Sequence, residues 1–180
     1  MDKLIKKTKY LLLVLSLFVV GGLTNVNASS DIVLTFSDSG IEETSAGSGY
    51  SISGTTISIN KAGTYRIKGN ASEGNIEVKK ETTGVTLILD NLSLTSSKTA
   101  PIAIGKDGAD VTIKLVGSNT IIDNEDPDNE FSPDINVSSL FEGAAIKVKS
   151  GSNLTFIGSG SAHITNNSNN AIKGGEGASI

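Results

Sequence analysis

The sequence "APIAIGKDGADVTIKL" at residues 100–115 recurs twice further along the chain. The pattern returns as "AAIKVKSGSNLTFIG" at residues 144–158 and as "NAIKGGEGASI" at residues 170–180. In each copy apolar residues alternate with polar ones, which is the period of a β-strand, and glycines stand where the chain must turn. The repetition therefore predicts a fold assembled from equivalent short strands.

The spacing between the copies is regular. In the first series of apolar positions the sequence numbers differ by 26, 44 and 26: Ile76, Ile102, Ile146 and Ile172. In a second series they differ by 26, 43 and 26: Val85, Val111, Leu154 and Ile180. The long interval contains the acidic segment at residues 124–141, which is interpreted as an insertion into one repeat.

Two architectures fit short strands of this kind. An antiparallel sandwich requires no fixed period between strands. In a parallel β-solenoid, equivalent residues of successive coils lie above one another, so position i resembles position i+26. The constant spacing favours the second architecture. We predict an all-β, right-handed, single-stranded parallel β-helix with three short strands per turn and a period of about 26 residues.

Residues 1–28 have the composition of an export signal. Four lysines precede an apolar stretch at residues 11–23, and a small-x-small site ends at Ala28. The apolar stretch is shorter than the roughly 20 residues of a membrane-spanning helix, which favours cleavage over a permanent anchor. We expect a signal peptide at 1–28, a lead-in at 29–49 and one domain at 50–180 in a secreted or cell-surface protein. Because the chain stops at Ile180 in mid-strand, we expect the natural protein to continue.

The net charge excludes two classes of partner, and the cysteine content limits how the fold can be stabilised. Without residues 1–28 the chain keeps 11 basic and 18 acidic residues, a net charge near −7. Nucleic acids and anionic membranes both need a positive surface, so neither is predicted as a partner of the mature protein. The chain has no cysteine, so packing and hydrogen bonds must stabilise the fold without disulfides.

Several motifs together resemble one known family. They are "GTYRIKG" at 63–69, "VTLILDNLSLTSS" at 85–97, "NTIID" at 119–123, and "AAIKVKSGSNLTFIGSG" at 144–160. The region from about residue 50 to 180 is similar to the bacterial extracellular carbohydrate-binding β-helix family, whose fold is like that of pectate lyases. The resemblance implies a secreted, non-catalytic protein that binds plant cell-wall polysaccharides such as cellulose or pectic acid and carries calcium.

Carboxylates in the insertion are the candidates for a calcium site. Calcium takes six to eight oxygen ligands, and Asp123, Glu125, Asp126 and Asp128 provide carboxylates within a short segment. The alternative is a solvated acidic loop that keeps a sheet protein soluble. A second cluster is better explained by turn formation: Asp90, Asn91, Asp107 and Asp110. This family usually has an aspartate in the turn after the "AAI" strand, where this chain has 149–153 "KSGSN", and the difference weakens a calcium site at that turn.

The candidate ligand-binding residues are Phe131, Phe141, Lys147 and Lys149. Aromatic rings stack on sugar faces, and polar side chains on a long flat face suit an extended polymer. Phe131 and Phe141 could instead pack the insertion onto the domain. No catalytic residue is predicted, because Arg66 and His163 are both expected on outward strand positions. A calcium-dependent polysaccharide lyase and a surface spacer without a sugar ligand remain as alternatives.

Overall fold

The computed structural model describes residues 31–45, 47–126, 142–167 and 169–180. These residues form fourteen β-strands, and the part of the chain that is described contains no helix that could span a membrane. The strands are β1 Ile32–Ser37, β2 Gly40–Ser45, β3 Tyr50–Ser53, β4 Thr56–Ile59, β5 Gly63–Ala71, β6 Asn75–Val78, β7 Val85–Ser96, β8 Ile102–Ile104, β9 Asp110–Val116, β10 Ser118–Asp123, β11 Ala144–Val148, β12 Asn153–Gly158, β13 Ser161–Asn166 and β14 Asn170–Gly174.

The strands belong to two sheets. Sheet A has the order β12-β9-β7-β5-β1-β2, with β10 paired to both β7 and β13. Sheet B has the order β14-β11-β8-β6-β4-β3. Chain neighbours alternate between the sheets over much of the domain, so most neighbours within a sheet are parallel strands from successive repeats.

The predicted register of the aliphatic ladder is confirmed. Ile76 pairs with Ile102, Ile102 with Ile146, and Ile146 with Ile172, all on parallel strands of sheet B. In sheet A, Val85 pairs with Val111 and Val111 with Leu154. Like side chains therefore lie beside like along each sheet, because each strand buries its apolar side chains against its neighbours.

The predicted β-helix with three strands per turn is wrong. The strands form two mixed sheets of eight and six strands that do not close into a solenoid, and β1–β2 and β3–β4 are antiparallel pairs. One reason is the length of β7, whose twelve residues pair first with β9 and then with β10, so that the strands expected in a third sheet stay in sheet A. The mixed sheets are those of a β-sandwich.

One hydrophobic core joins the two sheets. Sheet A contributes buried residues such as Leu87 and Ile113, and sheet B contributes Ile76 and Ile104, all with no exposed surface. Tyr65 is also fully buried, as the alternation in β5 predicts, and its hydroxyl donates to the carbonyl oxygen of Lys61 at 3.0 Å. The polar residues between these positions consequently point outward and form the two outer faces.

Candidate functional site

The outer face of sheet B carries a row of side chains from five neighbouring strands. Its members occupy matching positions between the buried aliphatic residues: Ser58, Glu77, Ala103, Lys147 and Lys173. Parallel strands lie about 4.8 Å apart, so adjacent members of the row are close neighbours. The small side chain of Ala103 leaves space in the middle of this face.

Two adjoining cavities lie on this face. The first has a volume of about 300 Å³, and its lining is predominantly basic: Lys106, Glu142, Lys147, Lys149, Ser150 and Gly175. We call it the cationic cavity. The second also has a volume of about 300 Å³ and is lined by Thr56, Asn75, Glu77, Thr99, Ala103, Glu142 and Lys149. We call it the neutral cavity, and the two together the groove.

An ion pair stands between the two cavities. Lys149 Nζ lies 2.5 Å from Glu142 Oε1, and both residues line both cavities. The Glu142 side chain is only 13% exposed, so its carboxylate is largely removed from bulk water. The pair therefore separates the two cavities, and Glu142 neutralises the charge of Lys149.

Lys147 has an unusual environment for a lysine. It is half-buried beside Lys173, and neither residue forms an ion pair with a carboxylate of the described residues. Burial lowers the pKa of Lys147 from its ordinary value, and the charges of Lys173 and Lys149 lower it further, although Glu142 opposes the shift. An ammonium group in such a position gains from an incoming anion, which would offset both the lost hydration and the repulsion.

A buried carboxylate holds Glu142 in place. Glu125 is 3% exposed, and its two oxygens accept hydrogen bonds from the backbone N–H of Glu142 at 3.0 Å and of Gly143 at 2.8 Å. Burial raises the pKa of Glu125, because desolvation outweighs the effect of these two donors. Glu125 thus fixes the start of the segment that brings Glu142 and β11 to the groove.

The predicted calcium ligands are only partly within the described residues. Asp123 is fully buried and accepts from the backbone N–H of Glu125 at 2.8 Å, while Asp126 is exposed. Both oxygens of Glu125 already accept from backbone donors. Among the residues that the structure describes, no three acidic, histidine or cysteine side chains are grouped to hold a metal. These residues alone do not fit calcium, and Asp128 lies outside the described part.

The second acidic cluster serves the strands and turns. Asp90 forms an ion pair with Arg66 at 2.8 Å and accepts from the Asn91 side chain at 2.9 Å. Asn91 and Asp107 have positive φ angles of 53° and 62°, as turn-forming residues tolerate. Asp107 agrees with the interpretation as a turn former, whereas Asp90 and Asn91 lie within β7 and Asp110 begins β9.

The structure brings together two of the four predicted ligand-binding residues. Lys147 and Lys149 both line the cationic cavity, whereas Phe131 and Phe141 lie outside the described residues. Sequence reasoning missed Lys173, Lys106 and Glu142. The repeat period could have identified Lys173, because it is the repeat equivalent of Lys147. Nothing in the sequence pattern identified Glu142, whose position depends on the hydrogen bonds to Glu125.

Two residues considered for catalysis lie on sheet A. Arg66 donates to Asp31 at 2.9 Å and to Asp90 at 2.8 Å, so its guanidinium is held by two carboxylates. His163 is exposed on β13, and its ring nitrogen Nε2 lies 3.1 Å from the hydroxyl of Thr165. Both occupy outward positions, as expected, and neither faces the groove on sheet B.

Comparison with known proteins identifies one family. A family model described as "Carbohydrate-binding domain-containing protein" matches residues 53–180, which include every residue that lines the groove. No curated protein and no solved structure matches the chain significantly. The match supports a carbohydrate-binding role for the domain that carries the groove.

Proposed function

The chain belongs to the carbohydrate-binding domain-containing protein family, and we propose that it binds plant cell-wall polysaccharide in the groove on sheet B without cleaving it. The observation that supports this site most directly is the pair of in-register lysines, Lys147 and Lys173, which have no ion-pair partner among the described residues. An extended polymer can follow the row across the strands because the row continues over five of them.

An acidic polysaccharide of the pectic kind suits the groove better than cellulose does. Cellulose binding normally uses exposed aromatic rings, and the exposed large apolar side chains of the described residues are Ile157 and Ile180. The cationic cavity has three lysines against one carboxylate. Although the mature chain has a net charge near −7, this local excess of positive charge can receive a uronate carboxylate directly.

The proposal also includes export of the protein and binding of calcium, and these two parts rest on different observations. Export rests on the composition of residues 1–28 alone. The acidic segment that begins at Asp123 would supply any calcium site, with ligands beyond the described residues. Binding through lysines does not require the ion, so the groove and the acidic segment can be tested separately.

The test is affinity electrophoresis of the mature protein in gels with polygalacturonate or with hydroxyethyl cellulose. We expect polygalacturonate to retard the protein at least about tenfold more strongly than the neutral polymer, because charged hydrogen bonds are stronger than neutral ones. Retardation should persist in EDTA and weaken at high salt, since partly exposed ion pairs are screened. Absence of retardation by both polymers would contradict the proposed function, and loss in EDTA alone would transfer the role to calcium.

A second candidate function is β-elimination of a uronate polymer, and the environment of Lys147 favours it specifically. A lysine whose pKa is lowered releases its proton more readily than an ordinary lysine, so it is a better candidate for a base. The Lys147 amine would take the proton on C5, a C4–C5 double bond would form, and the bond from C4 to the glycosidic oxygen would break. The Lys149 ammonium, which lines the same cavity, would protonate the leaving oxygen.

This candidate has its own assay. Incubation of the protein with polygalacturonate should produce an unsaturated uronide with an ultraviolet absorbance if the protein is a lyase. We expect no increase above the buffer control, with or without added calcium. An increase that disappears in Lys147→Met would replace the binding function with the lyase function, whereas an increase that persists would indicate a contaminating enzyme.

A further inference from the structure

We infer that the groove recognises a uronate directly next to a neutral sugar, and therefore prefers a polymer in which the two alternate to a uniform polyuronate. This inference rests on the proposed function and specifies its ligand. Its basis is the difference in charged residues between the linings of the two cavities, which adjoin at Glu142 and Lys149.

The cationic cavity has the groups that a carboxylate needs. Lys106, Lys147 and Lys149 line it, and Lys173 stands beside Lys147 on the neighbouring strand. Lys149 is already paired with Glu142, and Lys106 lies 3.6 Å from Asp107 in an exposed pair. Lys147 and Lys173 keep their charges available, so one carboxylate placed between them would be bound by two ammonium groups.

The neutral cavity has the groups that a sugar without charge needs. Thr56, Asn75 and Thr99 offer hydroxyl and amide groups, which can donate to and accept from sugar hydroxyls. Its two carboxylates are each paired with a lysine, Glu77 with Lys79 and Glu142 with Lys149. A second uronate here would meet two carboxylates and no unpaired cation in the lining, so it would be repelled.

The two kinds of group lie in adjoining cavities. Glu77 and Lys147 occupy the same row and are separated by Ala103 on the strand between them. Two strand spacings place their backbones about 10 Å apart, and Glu142 and Lys149 line both cavities, so the cavities adjoin and can receive consecutive parts of one polymer. The ion pair of Glu142 and Lys149 then lies at the junction between the two sugars.

The experiment compares three oligosaccharides of equal length by calorimetry in EDTA, with the mature wild-type protein. They are an oligogalacturonate, an oligomer of alternating galacturonate and rhamnose, and a cello-oligosaccharide. We expect the alternating oligomer to bind at least about threefold more tightly than the oligogalacturonate, because specificity arises partly from repulsion of the wrong ligand. The cello-oligosaccharide should bind most weakly.

A substitution in the neutral cavity isolates the cause. Glu77→Gln should strengthen oligogalacturonate binding about threefold and so reduce the preference for the alternating oligomer, because it removes the repelling charge and frees Lys79. Glu42→Gln, on an exposed position of β2, is the matched control and should change neither affinity. Equal or tighter binding of oligogalacturonate by wild type, unaffected by Glu77→Gln, would overturn the inference while leaving the proposed function intact. Absence of binding to all three oligomers would overturn both.

Discussion

Replacing Lys147 and Lys173 together with methionine should lower the affinity for polygalacturonate about 50-fold without unfolding the protein. Each lysine is expected to contribute one charged hydrogen bond, worth about 1–1.5 kcal/mol after solvent screening, and each ~1.4 kcal/mol is a factor of ten. Methionine keeps most of the side-chain volume that covers sheet B. Calorimetry on the double variant and the wild type, at matched low salt, measures the change.

The matched control moves the same loss of charge to the other sheet. Lys68 and Lys114 are exposed on outward positions of sheet A, so the double variant Lys68→Met and Lys114→Met has the same net charge as the groove variant. If binding depended only on overall charge, both double variants would weaken it equally. A comparable loss in the two would contradict the assignment of the site, whereas we expect less than about twofold in the control.

The pH dependence provides an independent check on Lys147. Its pKa is lowered, so the free protein loses this ammonium charge at a lower pH than an ordinary lysine would. The uronate stays ionised throughout that range, so affinity should fall as the pH rises through the lowered pKa of Lys147. In the Lys147→Met variant this fall should be absent, and an unchanged pH profile would show that Lys147 does not contact the ligand.

The stacking of like residues was predictable because it follows from burial. Strands that pack side by side need matching apolar side chains, so the regular spacing of Ile76, Ile102 and Ile146 reports their register directly. The number of sheets was not predictable in this way. It depends on whether the chain bends between β9 and β10 sharply enough to start another sheet, and the pairing of β7 with both strands prevents that.

The candidate site was predictable only where it follows the same period. Lys147 and its repeat equivalent Lys173 lie in register, so the cationic part of the groove is encoded locally. Glu142 is positioned by hydrogen bonds to Glu125 that alternation does not specify. A buried polar residue that bonds to the backbone is equally hard to recognise. In sequence, Asn119 resembles the turn-forming asparagines around it.

Asn119 accepts a backbone hydrogen bond that strand pairing in sheet A leaves unmade. Strand β7 pairs with β9 as far as Asp90 and with β10 from Ser93, so the backbone of Leu92 lies between the two ladders. Asn119 is 1% exposed, and its Oδ1 accepts from the Leu92 N–H at 2.9 Å. Its Nδ2 donates to the carbonyl oxygens of Val116 at 3.2 Å and Ser161 at 3.0 Å. One side chain therefore connects three successive repeats at a point where backbone groups do not bond to each other directly.

Asn119→Ala should destabilise the fold by about 3 kcal/mol, because it leaves one buried N–H and two carbonyl groups without this partner. For a domain of this size the melting temperature should fall by about 10 °C. Thermal unfolding followed by circular dichroism measures the shift, and Asn70→Ala, at an exposed position of β5, should change it by less than about 2 °C. Equal melting temperatures for the two variants would mean that water replaces the Asn119 amide. A fall in melting temperature of the expected size would show that the junction between β9 and β10 depends on the hydrogen bonds of Asn119 as well as on the packed aliphatic residues.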